Sequence, residues 1–437
     1  MRFCAKPVTV SQMSSSQPSR GPGRPRRASL DKREVIGLPQ LRLIDDLLDH
    51  LRSVGEHPNR KLYFDDLFIG LLLAFYNPIA RSLRGIEDAS QMPGVNQHMD
   101  IKALRRSTVS DAVSAFDAQL LLPLITHLRQ QVSDRQIDHS DSTLRGMLNR
   151  LIIFDGSYFR TAADVSWAMR ERHGKNGKLR ARVRLNLHLA AKDGLPVGVS
   201  IAGQDDPSEP VAMLENVEAG QIVVADRGCF SHQAVDELLK QRVDLVLRLQ
   251  KTVRCNVLSE RSLTPEDREA GVIADQIVET NGCKNPRPKR LRLVTIQPES
   301  DSSRNEEACD PSPPSPLRLL TNIEEEAVDA WMIGHLYRRR WDIELFFRWL
   351  KRCATCDHLL SESHNGMMMQ MYVALIGTLL LSMHTGRKPD KYTFNLMAMV
   401  AAGQGSLQDA LEILKRRHAE RDRARERRER KRQKPTS

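Results

Sequence analysis

Aromatic residues make up only 5% of this 437-residue chain, and not one of them lies between Lys251 and Ile323. That stretch is polar and carries Pro286, Pro288 and the PSPPSP segment, Pro311 to Pro316, so it reads as an insertion in a larger core. Cysteine is also sparse. The seven residues, Cys4, Cys229, Cys255, Cys283, Cys309, Cys353 and Cys356, form an odd and scattered set, which excludes a disulfide framework and fits a reducing compartment. Met1 to Leu30 is rich in Ser, Pro and Arg without an apolar block, which reads against a secretory signal. No run is cleanly apolar over the length of a bilayer span. Met367 to Met383 comes nearest, but Gln370 and Thr378 interrupt it, and it predicts a buried core helix. The expectation is a cytoplasmic protein with no membrane partner. Acidic residues fall short of basic ones, 55 against 66, giving a formal charge of +11 and a pI near 9.4. Such a surplus favours a polyanionic partner, because counterions released from phosphates drive binding. A ribosomal or membrane-surface role would share that balance, so charge alone decides little.

What is present outlines a main core with added modules. Residues 1–34 read as a flexible basic tail, in which GPGRPRR, Gly21 to Arg27, is solvated linker. Residues 35–148 read as helices, since LYFDDLFIGLLLAFY has apolar residues at three- and four-residue spacing. SLRGIEDASQM and LRRSTVSDAVSAFDAQL then give two short helices. The second is predicted to start near Ser107 with Val109, Val113 and Phe116 on one face. Opened by Arg105 and Arg106, it fits a helix-turn-helix that binds DNA, although plain helical hairpins look the same.

The period then changes. LNRLIIFDGSYF contains a compact apolar run, Leu151 to Phe154, ending at Asp155. RVRLNLHLAA alternates, with Val183, Leu185, Leu187 and Leu189 on one face and Arg182, Arg184, Asn186 and His188 on the other. KDG, Lys192 to Gly194, is a tight turn, and LPVGVSI returns as a third strand. A short helix near Val211 to Val217 precedes GQIVVADRGCF, a buried strand ending at Asp226. SHQAVDELLKQ is a helix capped by Ser231, and DLVLRL a fifth strand. Three antiparallel strands followed by strands alternating with helices predict an α/β fold, a mixed sheet flanked by helices. The core is assigned to 149–250 and 324–385, interrupted by a β-rich insertion at 251–323 with strands at RLRLVTI and LRLLTNI. A helical region at 386–414 and a charged tail at 415–437 complete the chain.

LYRRRWDIELFFRWLKR, Leu336 to Arg352, sets Glu344 among arginines, a lysine and aromatics. On one ideal helix at about 100° per residue, Tyr337, Arg340, Glu344 and Lys351 share an arc of roughly 60°. Ile343, Phe346, Trp349 and Leu350 occupy the opposite, core-facing side. Arg339 and Asp342 blemish that side unless they lie at its edges or pair. The plain reading of Arg340 and Glu344 is an i, i+4 ion pair worth a few tenths of a kcal/mol. Asp155 and Asp226 alter it, because each ends an apolar strand where a carboxylate is normally avoided. Converging carboxylates repel unless a divalent cation neutralises them, and oxygen-only ligation favours Mg²⁺ or Mn²⁺ over Zn²⁺. Two such ions promote in-line phosphodiester cleavage or exchange. Arg340 and Lys351 would then hold phosphates beside the metals, with Tyr337 contacting the same strand.

These residues carry a resemblance. Asp155-Gly156, then Asp226-Arg227-Gly228, then Tyr337, Arg340, Glu344 and Lys351 in the spacing Tyr-x2-Arg-x3-Glu-x6-Lys resemble the bacterial insertion-sequence 4 DDE transposases. The resemblance runs from about Asn149 to Leu381. It implies a ribonuclease-H-like core with a β-rich insertion and Mg²⁺-dependent cutting of element ends. Joining to target double-stranded DNA by a dimeric synapse, and a nucleoid-associated location, are also implied. It makes Asp155, Asp226 and Glu344 the metal-binding triad, and Tyr337, Arg340 and Lys351 DNA contacts near the cleaved phosphate. Some relatives trap a flipped base with an aromatic residue from the insertion. This insertion has none, and Trp341, flanking the active arc, is the substitute on offer. Arg227 is a further DNA-contact candidate.

Other clusters read as plain structure. CATCDH, Cys353 to His358, resembles half a zinc site but has no matching second cluster. Asp205-Asp206 has turn composition, and His188 sits on a polar strand face with no further signal. Two alternatives to a transposase stay open. One is a catalytically silent, transposase-derived DNA-binding protein, and the other a structure-specific nuclease of the same fold.

Overall fold

The apolar segments that alternate or run unbroken in the sequence pair into one sheet, covered on both faces by the amphipathic ones. The computed structural model describes residues 45–54, 62–76, 82–93, 103–132, 139–162, 165–173, 178–280, 289–298, 315–352, 359–385, 389–401 and 407–432. The tail at 1–34, most of Pro311 to Pro316, and Cys353 to His358 lie outside the described residues. Helices α1 (Asp45–Ser53), α2 (Phe64–Tyr76), α3 (Leu83–Gln91), α4 (Arg106–Ala115), α5 (Leu122–Val132) and α6 (Ser142–Asn149) come first. Strands β1 (Leu151–Thr161), β2 (Met169–His173), β3 (Lys178–Ala190) and β4 (Leu195–Ala202) follow, then α7 (Glu209–Ala212), β5 (Ile222–Ala225), α8 (His232–Lys240) and β6 (Asp244–Arg248). Next are β7 (Cys255–Glu260), α9 (Pro265–Glu269), β8 (Val272–Thr280), β9 (Lys289–Ile296) and β10 (Leu317–Thr321). The last elements are α10 (Ala330–Arg338), α11 (Trp341–Arg352), α12 (His364–Thr385), α13 (Lys391–Ala401) and α14 (Leu407–Arg432).

The ten strands form a single sheet in the order β2–β3–β1–β5–β6–β10–β9–β8–β7, with β4 also paired to β3. β1 runs antiparallel to β3 and parallel to β5, and β5 runs parallel to β6. The central strands are buried on both faces, which is why they read as continuous apolar runs. Ile153, Val224 and Val246 pack into the cluster shared with α2, α11 and α12, while Ile152, Val223 and Leu245 join α8 on the other face. The turn after β3 is closed by Gly194, at φ +68°, whose N–H donates to the Ala190 carbonyl. Ser231 caps α8 by accepting from the Ala234 N–H.

Three expectations need correction. Asp155 does not end its strand: β1 continues to Thr161, because β3 goes on pairing with it as far as Ala181. β2, MRERH, carries no apolar signal and was not foreseen; it is held by pairing to the start of β3. Leu336 to Arg352 is not one helix. The chain breaks at Arg339 and Arg340, where the N–H groups of Arg339, Arg340, Asp342 and Ile343 donate to carbonyls three residues back. This tight turn separates α10 from α11 while Arg340 reaches a carboxylate on each side of it.

Between β6 and α10 the chain continues the sheet rather than leaving it. β9 is the predicted RLRLVTI strand, and β10 begins LRLLTNI and pairs antiparallel with β6. The fully buried Arg292 on β9 lies 2.8 Å from Asp275 and donates to the carbonyls of Ile323 and Val328, tying β8 and β9 to the approach of α10. α12 contains the apolar run predicted to be a core helix. It is long and apolar enough to cross a membrane, but 94% of that window is buried inside the protein. Its Asn365 bonds the carbonyls of Val113 and Phe116, docking the α4 region, where Val109, Val113 and Phe116 are buried as expected.

Candidate active site

The parallel pairing of β1 and β5 places Leu151 beside Ile222, Ile152 beside Val223 and Ile153 beside Val224. Two residues further on, the same register reaches Asp155 and Asp226, where β5 has ended and the strands part. Side chains alternate along a strand. Asp155 therefore shares its face with Ser157 and Phe159, toward α11, while Gly156 presents the opposite one.

Arg340 is the hub. It lies 3.6 Å from Asp155 and donates to Glu344 at 2.5 Å. Asp226 accepts from the Tyr337 hydroxyl at 3.1 Å and from the Arg227 N–H at 2.8 Å, and Arg248 lies 3.4 Å away. Lys351 donates to the Ser157 hydroxyl at 2.8 Å and stands over the Phe159 ring. The structure thus gathers Asp155 from β1, Asp226 from just past β5, Tyr337 from α10, Arg340 from the turn after it, and Glu344 and Lys351 from α11. The core side of α11 is as predicted, with Ile343, Phe346, Trp349 and Leu350 buried, and Arg339 pairs with Asp342 at 2.8 Å.

The two aspartates differ electrostatically. Burial pushes Asp155 up to about 6, against the pull of Arg340 and the Gly156 N–H, and neighbouring Glu209 and Asp226 add repulsion. Burial would raise Asp226 as well, but the Arg227 N–H, Arg340, Arg248 and Tyr337 outweigh it and hold this carboxyl below its usual range. Burial, followed by the charge of Asp226, lifts the Tyr337 phenol well above its ordinary value, so it stays a donor at neutral pH. Hydrogen bonding to Glu344 and nearby negative charge raise Arg340 despite its burial.

The remaining candidates are dispersed. Trp341 opens α11 and is 51% exposed beside this cluster. The Arg227 side chain is exposed, with only its backbone engaged in the contacts above. Arg105 and Arg106 stand exposed at the start of α4 and make none of these contacts. Asp205 and Asp206 form the expected surface turn, Asp206 accepting from the Gly203 N–H at 2.7 Å. Arg248 and Ser157 were not singled out in the sequence. Arg248 is the last residue of β6, beside β5, and that strand-end position was the available signal.

His188 corrects a simpler reading. The polar face of β3 is buried: Arg184, Asn186 and His188 lie under the 203–217 segment, where His188 sits 3.1 Å from the Met213 carbonyl. Burial lowers its pKa to about 4, and it serves as a neutral core residue.

The family model described as the transposase DDE domain matches residues 146–380. The chain is 24% identical over 204 residues to a probable transposase for insertion sequence element IS5377 from Geobacillus stearothermophilus, covering 46% of this chain and 49% of that protein. It is 23% identical over 286 residues to a protein of Synechocystis sp. named as a transposase for insertion sequence element IS4SA, covering 63% and 71% respectively. The first of these matches spans only about half of its relative's length. With Asp155, Asp226, Glu344 and more than half of the chain inside the matched region, this protein belongs to the DDE transposase family, of the insertion-sequence 4 type.

Proposed function

We propose that the chain is a DNA transposase that cuts element ends and joins them to target DNA, with Asp155, Asp226 and Glu344 as its catalytic carboxylates. One observation carries this reading: a single guanidinium, Arg340, spans Asp155 and Glu344 from distant parts of the chain. The order β4–β3–β1–β5–β6, antiparallel then parallel, supports a ribonuclease-H-like core. The relatives' names support DNA at the ends of an insertion sequence as the substrate.

The donor set is carboxylate oxygen alone, which fits Mg²⁺ or Mn²⁺. Among the described residues no three His, Cys, Asp or Glu side chains are already disposed to hold a metal ion. The fit therefore requires the three carboxylates to close toward one another as well as the Arg340 side chain to leave them. Bound divalent cations would activate a water or a DNA 3′-hydroxyl and stabilise the leaving oxygen.

This chain's own groups do the rest. A DNA phosphate competes for Arg340, and the guanidinium passes from Glu344 and Asp155 to the phosphate, freeing both carboxylates. While Arg340 stands beside it, Asp155 gives up its proton above about pH 6, so this carboxylate is ionised at neutral pH. Lys351, held on Ser157, and Tyr337, donating to Asp226, can turn to phosphate oxygens. Trp341 offers an exposed ring for an unstacked base. A homodimeric synapse, exposed Arg105 and Arg106 as DNA contacts, and a cytoplasmic, nucleoid-associated location belong to the same proposal.

Asp155→Asn, Asp226→Asn and Glu344→Gln are expected to abolish Mg²⁺-dependent cleavage of DNA carrying the gene's flanking inverted repeats, while gel-shift binding survives. Wild-type cleavage by any of the three variants overturns the assignment.

A further inference from the structure

Behind the strand ends, on the face away from α11, lies a carboxylate that the family signature does not include. Glu209 opens α7, which packs against the Arg227–Cys229 turn. A Cβ added to Gly156 would meet one Glu209 carboxylate oxygen at 2.9 Å and Arg184 Cδ at 3.0 Å. A Cβ on Gly228 would meet the other carboxylate oxygen, also at 2.9 Å. One carboxylate is therefore wedged between the two glycines that follow the two aspartates. Neither glycine has positive φ, so what a side chain at either position would disturb is this carboxylate rather than the backbone.

Arg184 fixes the wedge from below. It is 5% exposed, donates to Asn186 at 2.7 Å and to the Pro207 carbonyl at 2.5 Å, and comes within 4.0 Å of Glu209. Burial raises the Cys229 thiol, and the charges of Glu209, Asp155 and Asp226 raise it further.

We propose that Glu209 is a positioning residue of the active site, holding the ends of β1 and β5 at a set spacing and adding negative charge that tightens divalent-cation binding by Asp155 and Asp226. This rests on the carboxylate reading above. Glu209 acts through the backbone of Gly156 and Gly228 and through space, in the way that groups behind metal ligands tune affinity.

The test uses the full-length protein with an element-end DNA duplex and measures Mn²⁺ binding by electron paramagnetic resonance, with the signal of the duplex alone subtracted and circular dichroism melts to verify folding. Glu209→Gln keeps the shape and removes the charge, and it is expected to weaken Mn²⁺ binding about 10–100-fold, with Glu209→Asp falling between. Gly228→Ala, which displaces the carboxylate, is expected to weaken binding too, and Glu209→Gln/Gly228→Ala to be no worse than Glu209→Gln alone. In cleavage assays the Mg²⁺ concentration for half-maximal rate rises in Glu209→Gln, while the rate at saturating Mg²⁺ stays near wild type. Wild-type Mn²⁺ affinity in Glu209→Gln, with affinity lost in Asp155→Asn, overturns the role of Glu209 alone. Additive losses in the double variant overturn it as well. Unchanged affinity in Asp155→Asn strikes instead at the carboxylate site itself.

Discussion

At the scale of the residue, Arg340 and Asp155 share one problem: a carboxylate kept where water is scarce. Asp155 sits about 6 rather than 3.8, so the folded protein prefers it protonated and ionising it costs stability. The stabilising effect of the proton is fully present below pH 3.8 and is lost as pH rises through 6. Asp155→Asn, which mimics the protonated form, is therefore expected to stabilise the protein by up to about 3 kcal/mol at pH 7. Melting curves from pH 4 to pH 7 check this, since the advantage should vanish toward pH 4. A constant advantage across that range would mean that something other than the buried charge is responsible. A site that weakens the fold at its working pH while binding no substrate is the usual mark of a functional cluster.

At the scale of the element, the sequence was most informative where one physical rule acted alone. Val183, Leu185, Leu187 and Leu189 alternate because one face of β3 lines a core, and all four are buried. Ile343, Phe346, Trp349 and Leu350 follow the helical period and are buried too. It was least informative where tertiary contacts overrode local pattern. Polar Arg184, Asn186 and His188 look solvent-facing until the 203–217 segment, which carries the short α7, covers them. The turn at Arg339–Arg340 interrupts a stretch with good helical pattern and leaves Arg340 in contact with both Asp155 and Glu344. The signature residues were legible from their spacing, whereas Arg248, Ser157 and Glu209 join them only through folding. Arg292 belongs to the same class. Buried in the sheet, it holds Asp275 and the carbonyls that lead into α10. Arg292→Met leaves buried Asp275 with Arg261 alone, 3.3 Å away, and frees the two carbonyls, and it is expected to cost about 1–3 kcal/mol in urea unfolding. A loss under 1 kcal/mol would mean that this pair does not brace the helix carrying Tyr337.

At the scale of the whole molecule, one sheet connects the part that holds the carboxylates to the part that extends toward β7. Surplus charge of +11 adds a long-range pull on DNA that any basic surface would provide. Arg340 and Lys351 are set apart by position, at the carboxylates rather than on an open face. Replacing either by Ala is expected to lower the slope of log affinity against log salt by about 1, together with weaker DNA binding. An unchanged slope would exclude direct phosphate contact by that residue.

The central claim is that Asp155, Asp226 and Glu344 come together around divalent cations once Arg340 is drawn away. Anomalous diffraction from crystals of the full chain with Mn²⁺ and a DNA duplex tests it most directly. The predicted result is an anomalous peak among the three carboxylates, with the Arg340 guanidinium moved onto a phosphate. A map with Arg340 still bonded to Glu344 and no anomalous density between the aspartates would contradict it.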